Sequence, residues 1–136
     1  MDAFLDPGDE ILVPNPVWLN YIHVPSALGA VPVTYSLKEE NDYQIDFEEM
    51  ESKITDKTKM IVVVNPSNPT GGVFSRETLE KLSEIAIRHD LLVIADEIWS
   101  DLILKGSRHI PTQSISPDAR NRTIAFYAPT KTFNLA

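Results

Sequence analysis

Apolar positions along this chain follow two rhythms. Residues 10–14 (EILVP) and 30–35 (AVPVTY) are short and contain β-branched residues, whereas 60–64 (MIVVV) and 91–95 (LLVIA) are unbroken apolar runs. Unbroken runs of that length suit strands buried on both faces. Between the two runs, Leu79, Leu82, Ile85 and Ala86 recur at helical spacing. The spacing predicts a helix over 75–89, with Ser75 as N-cap and Glu77 in the first turn, near the positive end of the helix dipole. Further helices are predicted over 18–28, closed by Gly29, and over 47–54, introduced by Asp46 as cap. A further strand fits 123–127 (TIAFY). Strand, helix, strand in that order reads as a right-handed βαβ crossover, so the predicted class is α/β with a layered sheet.

Two polar stretches, 36–44 (SLKEENDYQ) and 105–121 (KGSRHIPTQSISPDARN), read as surface connections. Neither reads as a domain linker, because strand signals of the same sheet flank both. Residues 1–5 (MDAFL) resemble the last turn of a helix, and the chain stops at FNLA without a charged tail, so it is expected to be a piece of a larger domain.

Composition narrows the function classes. A chain of 136 residues with 43% hydrophobic positions is within the size of one domain. Its net charge of −8 argues against a nucleic-acid or anionic-membrane partner, either of which needs a cationic face. The absence of cysteine removes disulfides and thiolate metal sites. The apolar runs are too short to cross a bilayer and the N-terminus lacks a basic start, so a cytoplasmic location is the default expectation.

In open α/β sheets, ligands collect outside the carboxyl ends of the parallel strands. The residues just after the predicted strands are therefore the candidates. After 60–64 comes NPSNPTGG, after 91–95 comes Asp96-Glu97, and after 123–127 comes Ala128-Pro129-Thr130-Lys131. Singly, each has an ordinary explanation as a turn, a helix cap or a solvated amine. In order, on successive strand ends, they bring an amide-rich turn, a carboxylate and an amine to one edge.

The motifs NPSNPTGG, ADEIWSDL and APTKTFNLA, preceded by PGDEILVPNPVW, resemble the fold-type I pyridoxal 5′-phosphate (PLP) enzymes of the class I/II aminotransferase superfamily, over residues 7–136. Within it, the pairing of DEIxxDL with APTKTFNLA is most similar to the cystathionine β-lyase-like branch. The resemblance implies a three-layer αβα architecture, of which residues 1–136 would be part of the PLP-binding large domain. It implies that Lys131 condenses with the cofactor aldehyde and later moves the substrate proton. Asp96 would face the pyridine nitrogen and keep it protonated. Asn68 would donate to the ring 3-oxygen, with Asn68-Pro69 a candidate cis peptide bond. Trp18 would stack on the ring rather than pack in the core.

Two positions depart from the family pattern. Trp99 stands where many relatives carry a Tyr, and an indole N–H can donate but cannot exchange a proton as a phenol does, so Trp99 is expected to line the site. Ala128 stands where many relatives have a phosphate-binding Ser, leaving Thr130 to supply a hydroxyl. The family's phosphate-binding turn, its two arginines, its small domain and its partner-subunit contact fall outside residues 1–136.

The remaining titratable groups read as structural. His23 and His89 fit surface or capping roles, and His109 fits a loop role more than an approach to the site entrance. Glu97 and Asp101 would orient the turn around Asp96 or cap a following helix. No set of residues has metal-ligand spacing. The resemblance implies an L-amino-acid substrate and a homodimer. Two activities stay open, a C–S β-lyase releasing thiol, pyruvate and ammonia, and an aminotransferase. A non-catalytic truncated module is the third possibility.

Overall fold

In the computed structural model, which describes residues 1–135, each predicted apolar segment becomes a strand. They are β1 (Glu10–Asn15), β2 (Val31–Ser36), β3 (Thr58–Val64), β4 (Leu92–Asp96) and β5 (Thr123–Phe126). They form one sheet in the order β2-β1-β3-β4-β5, with every strand pair parallel. The helices are α1 (Asn20–Ala27), α2 (Phe47–Ser52), α3 (Arg76–Arg88), α4 (Pro117–Arg122) and α5 (Pro129–Thr132).

Period-two alternation along β3 shows why its sequence is apolar throughout. Ile61 and Val63 join Leu12, Val93 and Ala95 under α2 and α3, which bring Met50, Leu79, Leu82, Ile85 and Ala86. Met60, Val62 and Val64 point the other way, joining Ile11, Val13 and Ile94 beneath Tyr21 of α1. Both faces are covered, which makes three layers. The chain runs from β1 outward to β2, then back past β1 to β3. Crossovers of constant hand place their helices on opposite faces when that direction reverses, which is how α1 and α2 come to lie on different sides.

Local signals hold where a side chain caps an end. Ser75 accepts from Thr78 N–H at the start of α3, and Asp46 accepts from Glu49 N–H at the start of α2. The expected 18–28 helix is shorter, because Leu19 at its start offers no capping side chain; Trp18 and Leu19 form a preceding turn whose carbonyls accept from Tyr21, Ile22 and His23. Gly29 does close the helix, at φ 81°, and a Cβ there would lie 3.2 Å from Pro7. Only glycine meets both demands cheaply.

Two boundaries depart from hydropathy for polar reasons. β3 starts at Thr58, two residues before the apolar run, since the Thr58 hydroxyl is buried and donates to Glu10 at 3.0 Å. The stretch 105–121, read as a surface connection, instead holds a 3-10 turn at Thr112–Ser114 and most of α4. Ser116 accepts from Ala119 N–H and Pro117 occupies the first turn, a helix start that looks like loop chemistry in sequence. Among the described residues, no helix is long and apolar enough to cross a membrane.

Leu82 is fully buried between α3 and the sheet. In the complete polypeptide, Leu82→Ala is expected to cost about 2–5 kcal/mol, read as a lower urea midpoint. Val31→Thr, at an edge-strand position that is 47% exposed, should change it by less than about 0.5 kcal/mol.

Candidate active site

Strand register sets the geometry of the carboxyl edge. Val64 pairs with Asp96 and Asp96 with Phe126, so the last residues of β3, β4 and β5 form one row. The turn after β3 is drawn to this row by Asn65, whose N–H donates to the Asp96 carbonyl at 3.0 Å and whose side-chain oxygen accepts from Phe74 N–H at 2.9 Å. Hydrogen bonds from Ser67 N–H to Gly72 O and from Gly71 N–H to Ser67 O close the turn around Asn68. The Asn68-Pro69 bond is cis as expected, and Asn15-Pro16 and Asn65-Pro66 are cis as well.

Five of the six expected cofactor-binding residues meet. Trp18, Asn68, Asp96, Trp99 and Lys131 line one cavity of about 220 Å³, with Val64 and Ile98 completing its wall. Trp18 is 57% exposed at the cavity mouth, so the stacking role is geometrically open to it and the core-packing alternative is not. Lys131 Nζ lies 5.3 Å from the Trp99 ring centroid, where the quadrupole of the indole attracts an ammonium group. Thr130 neighbours Lys131 on α5 but is exposed and does not line this cavity.

Asp96 is held at both oxygens. Ile98 N–H donates to Oδ1 at 3.2 Å and the Tyr21 hydroxyl donates to Oδ2 at 2.8 Å. Burial and the adjacent Asp96 charge push the Tyr21 phenol far up, so it stays a donor at neutral pH. Sequence reading missed Tyr21. Its place three residues after Trp18 gives no sign of its distant partner Asp96.

Glu97 turns away from the cavity and is fully buried. It accepts from Thr112 N–H at 2.7 Å and from the Tyr127 hydroxyl, and His109 Nε2 lies 3.3 Å from its Oε2. Its own N–H donates to Phe126 O at 3.0 Å, and Thr132 donates to Asp101 at 2.9 Å. The turn carrying Asp96 and Trp99 is thereby clasped to the segment carrying Lys131, in line with the orienting role expected of Glu97 and Asp101. His109 belongs to this clasp. His89, at the C-terminal end of α3, pairs with Glu51 at 2.8 Å. Among the described residues no group of three or more His, Cys, Asp or Glu is placed to hold a metal ion.

The donor set suits a flat heteroaromatic ligand. Two indoles offer π faces, a carboxylate could face a cationic ring nitrogen, an amide could donate to a ring oxygen, and an amine could condense with a carbonyl. Across the whole of residues 1–136, the sequence matches the family model described as Aminotransferase class I and II. The chain belongs to that aminotransferase family.

This family member is 39% identical over 138 residues to cystathionine beta-lyase PatB of Bacillus subtilis (strain 168), a match covering 100% of the chain and 36% of that protein. It is 36% identical over 133 residues to an aspartate aminotransferase of Bacillus sp. (strain YM-2), covering 98% of the chain and 34% of the relative. Its fold superposes with a TM-score of 0.93 and 33% identity on cystalysin from Treponema denticola, a structure containing pyridoxal 5′-phosphate, over 97% of this chain and 34% of that one. The chain thus spans about a third of the length of the relatives it matches.

For Glu97, desolvation alone would raise the pKa, but His109, Thr112 N–H and Tyr127 outweigh it and hold the carboxyl below its usual range. A depressed folded pKa adds stability above the ordinary carboxylate pKa, and that stability is lost as pH falls through the folded value. Glu97→Gln is therefore expected to lose about 2 kcal/mol at neutral pH, with the deficit shrinking on acidification. Urea unfolding of both forms from neutral pH to below pH 4 checks this, and parallel curves contradict it.

Proposed function

We propose that the complete polypeptide is a PLP-dependent enzyme acting on L-amino acids, and that residues 1–136 form the ring-binding part of its large domain. The observation that carries this reading is the convergence of Asn68, Asp96 and Lys131 on one cavity between two indoles. When bound, PLP supplies an electron sink that allows a proton to leave the substrate α-carbon.

The residues of this chain divide that work. Asp96 would balance a positive ring nitrogen, and Asn68 would donate its amide to the ring oxygen. Trp18 covers one π face and limits tilt. Lys131 Nζ would hold the group through its aldehyde and, as a free amine, would accept the proton from the substrate α-carbon. Trp99 holds that amine near the ring without exchanging protons itself. Thr130 is assigned a hydroxyl contact to the phosphate, whose principal grip the family places upstream of this segment.

A C–S β-lyase reaction, releasing thiol, pyruvate and ammonia, is the finer reading, supported by the DEIxxDL and APTKTFNLA motifs and the similarity to PatB. Aminotransfer to a 2-oxoacid is the alternative, supported by the similarity to aspartate aminotransferase. Both use the residues above up to proton removal. A cytoplasmic homodimer is part of the proposal. Leu104 and Phe133, 83% and 68% exposed, are apolar groups that such an assembly would cover.

In the complete polypeptide, added PLP is expected to produce an absorbance band at the visible edge that is lost in Lys131→Ala. A folded wild type without the band overturns the enzyme reading in favour of a non-catalytic module. With cystathionine as sole substrate, release of thiol and pyruvate without any oxoacid identifies the lyase. Amino transfer that needs an oxoacid, with no thiol released, identifies the aminotransferase.

A further inference from the structure

The start of α1 carries two aromatic residues with different targets. Trp18 opens onto the cavity, and Tyr21, one turn later, is buried with its hydroxyl 2.8 Å from Asp96 Oδ2. Tyr21 N–H also donates to Trp18 O at 3.0 Å, so the two residues share one backbone turn. Asp96 reaches Tyr21 because it follows Ile94 by two positions, and Ile94 packs on the α1 face of the sheet.

We propose that Tyr21 is a positioning residue: its hydroxyl fixes the Asp96 carboxylate toward the ring nitrogen and, through the shared turn, fixes Trp18 over the ring. This rests on the functional reading above and extends it to a residue outside the ring-binding set. Asp96 Oδ1 is already anchored by Ile98 N–H, so the phenol supplies the second point that sets the carboxylate plane. A neutral donor here orients the carboxylate without cancelling its charge, which a cation would do in place of the ring nitrogen. Other charged groups bordering this carboxylate are Asp2, in the neighbouring apolar cavity that Tyr21 also lines, and Lys131 in the ring cavity.

The test uses Tyr21→Phe in the complete polypeptide, which keeps the ring and removes only the hydroxyl. PLP affinity, measured by absorbance titration, is expected to fall about tenfold, the loss of one hydrogen bond to a charged group. In the PLP-bound protein, the pH dependence of the absorbance band is expected to differ between Tyr21→Phe and wild type, a change that a purely structural Tyr21 would not cause. Should Tyr21→Phe fail to fold, the wild type and Asp96→Asn are compared with Tyr21 intact. The Tyr21 Cζ chemical shift at neutral pH is then expected to differ in Asp96→Asn, where the phenol no longer donates to a charged oxygen, and an unchanged shift overturns the proposal. Unchanged PLP affinity together with an unchanged pH dependence of the band in a folded Tyr21→Phe overturns it alone. A wild type that binds no PLP overturns the functional reading and this inference with it.

Discussion

Everything at the carboxyl edge depends on the register that aligns Val64, Asp96 and Phe126 across three parallel strands. Side chains alternate between faces, so a slip of one residue in β4 would carry Asp96 to the α3 side, away from Tyr21 and Trp18. The apolar runs enforce the register. Val62 and Ile94 must enter the layer under α1 while Val63 and Ala95 enter the layer under α3, and any other pairing puts large side chains against the wrong surface. Core packing and site geometry are two outcomes of one constraint.

Above that row, hydrogen bonds replace hydrophobic packing as the organising force. Asn65, Glu97 and Asp101 each join two segments that strand pairing leaves free: the turn after β3 to Asp96, the turn after β4 to β5, and that same turn to α5. Glu97 is the costliest of these to bury, and it is tolerated because three groups converge on its carboxylate. The chemistry-bearing side chains stay partly exposed beside a frame cross-linked by these hydrogen bonds.

The sheet and most helices were legible in the sequence because they obey periodicity and capping rules that act within a few residues. Ser75 and Asp46 announced α3 and α2, and the runs at 60–64 and 91–95 announced the buried strands. Asn68, Asp96 and Lys131 could be named because each stands at or beyond a strand end and the combination resembles a family, and Trp18 and Trp99 from that resemblance alone. Tyr21, and the partners of Glu97, could not be named the same way. Their roles are contacts between residues far apart in the chain, Tyr21 with Asp96 and Glu97 with Thr112 and Tyr127, and no local pattern encodes such a distance. The helix at Pro117–Arg122 was hidden for the opposite reason, since its Ser-Pro start is also what a loop looks like.

Trp18, Asn68, Asp96 and Lys131 come from the ends of four different strands, so no pair of them is juxtaposed by local structure. A small molecule that recognises all four recognises a finished tertiary arrangement and ignores partly folded chains. Its binding energy is then added to the native state only, in proportion to RT ln(1 + [L]/Kd). During synthesis Lys131 emerges after the other three, so on the proposed function covalent capture through its amine would follow the synthesis of Trp18, Asn68 and Asp96.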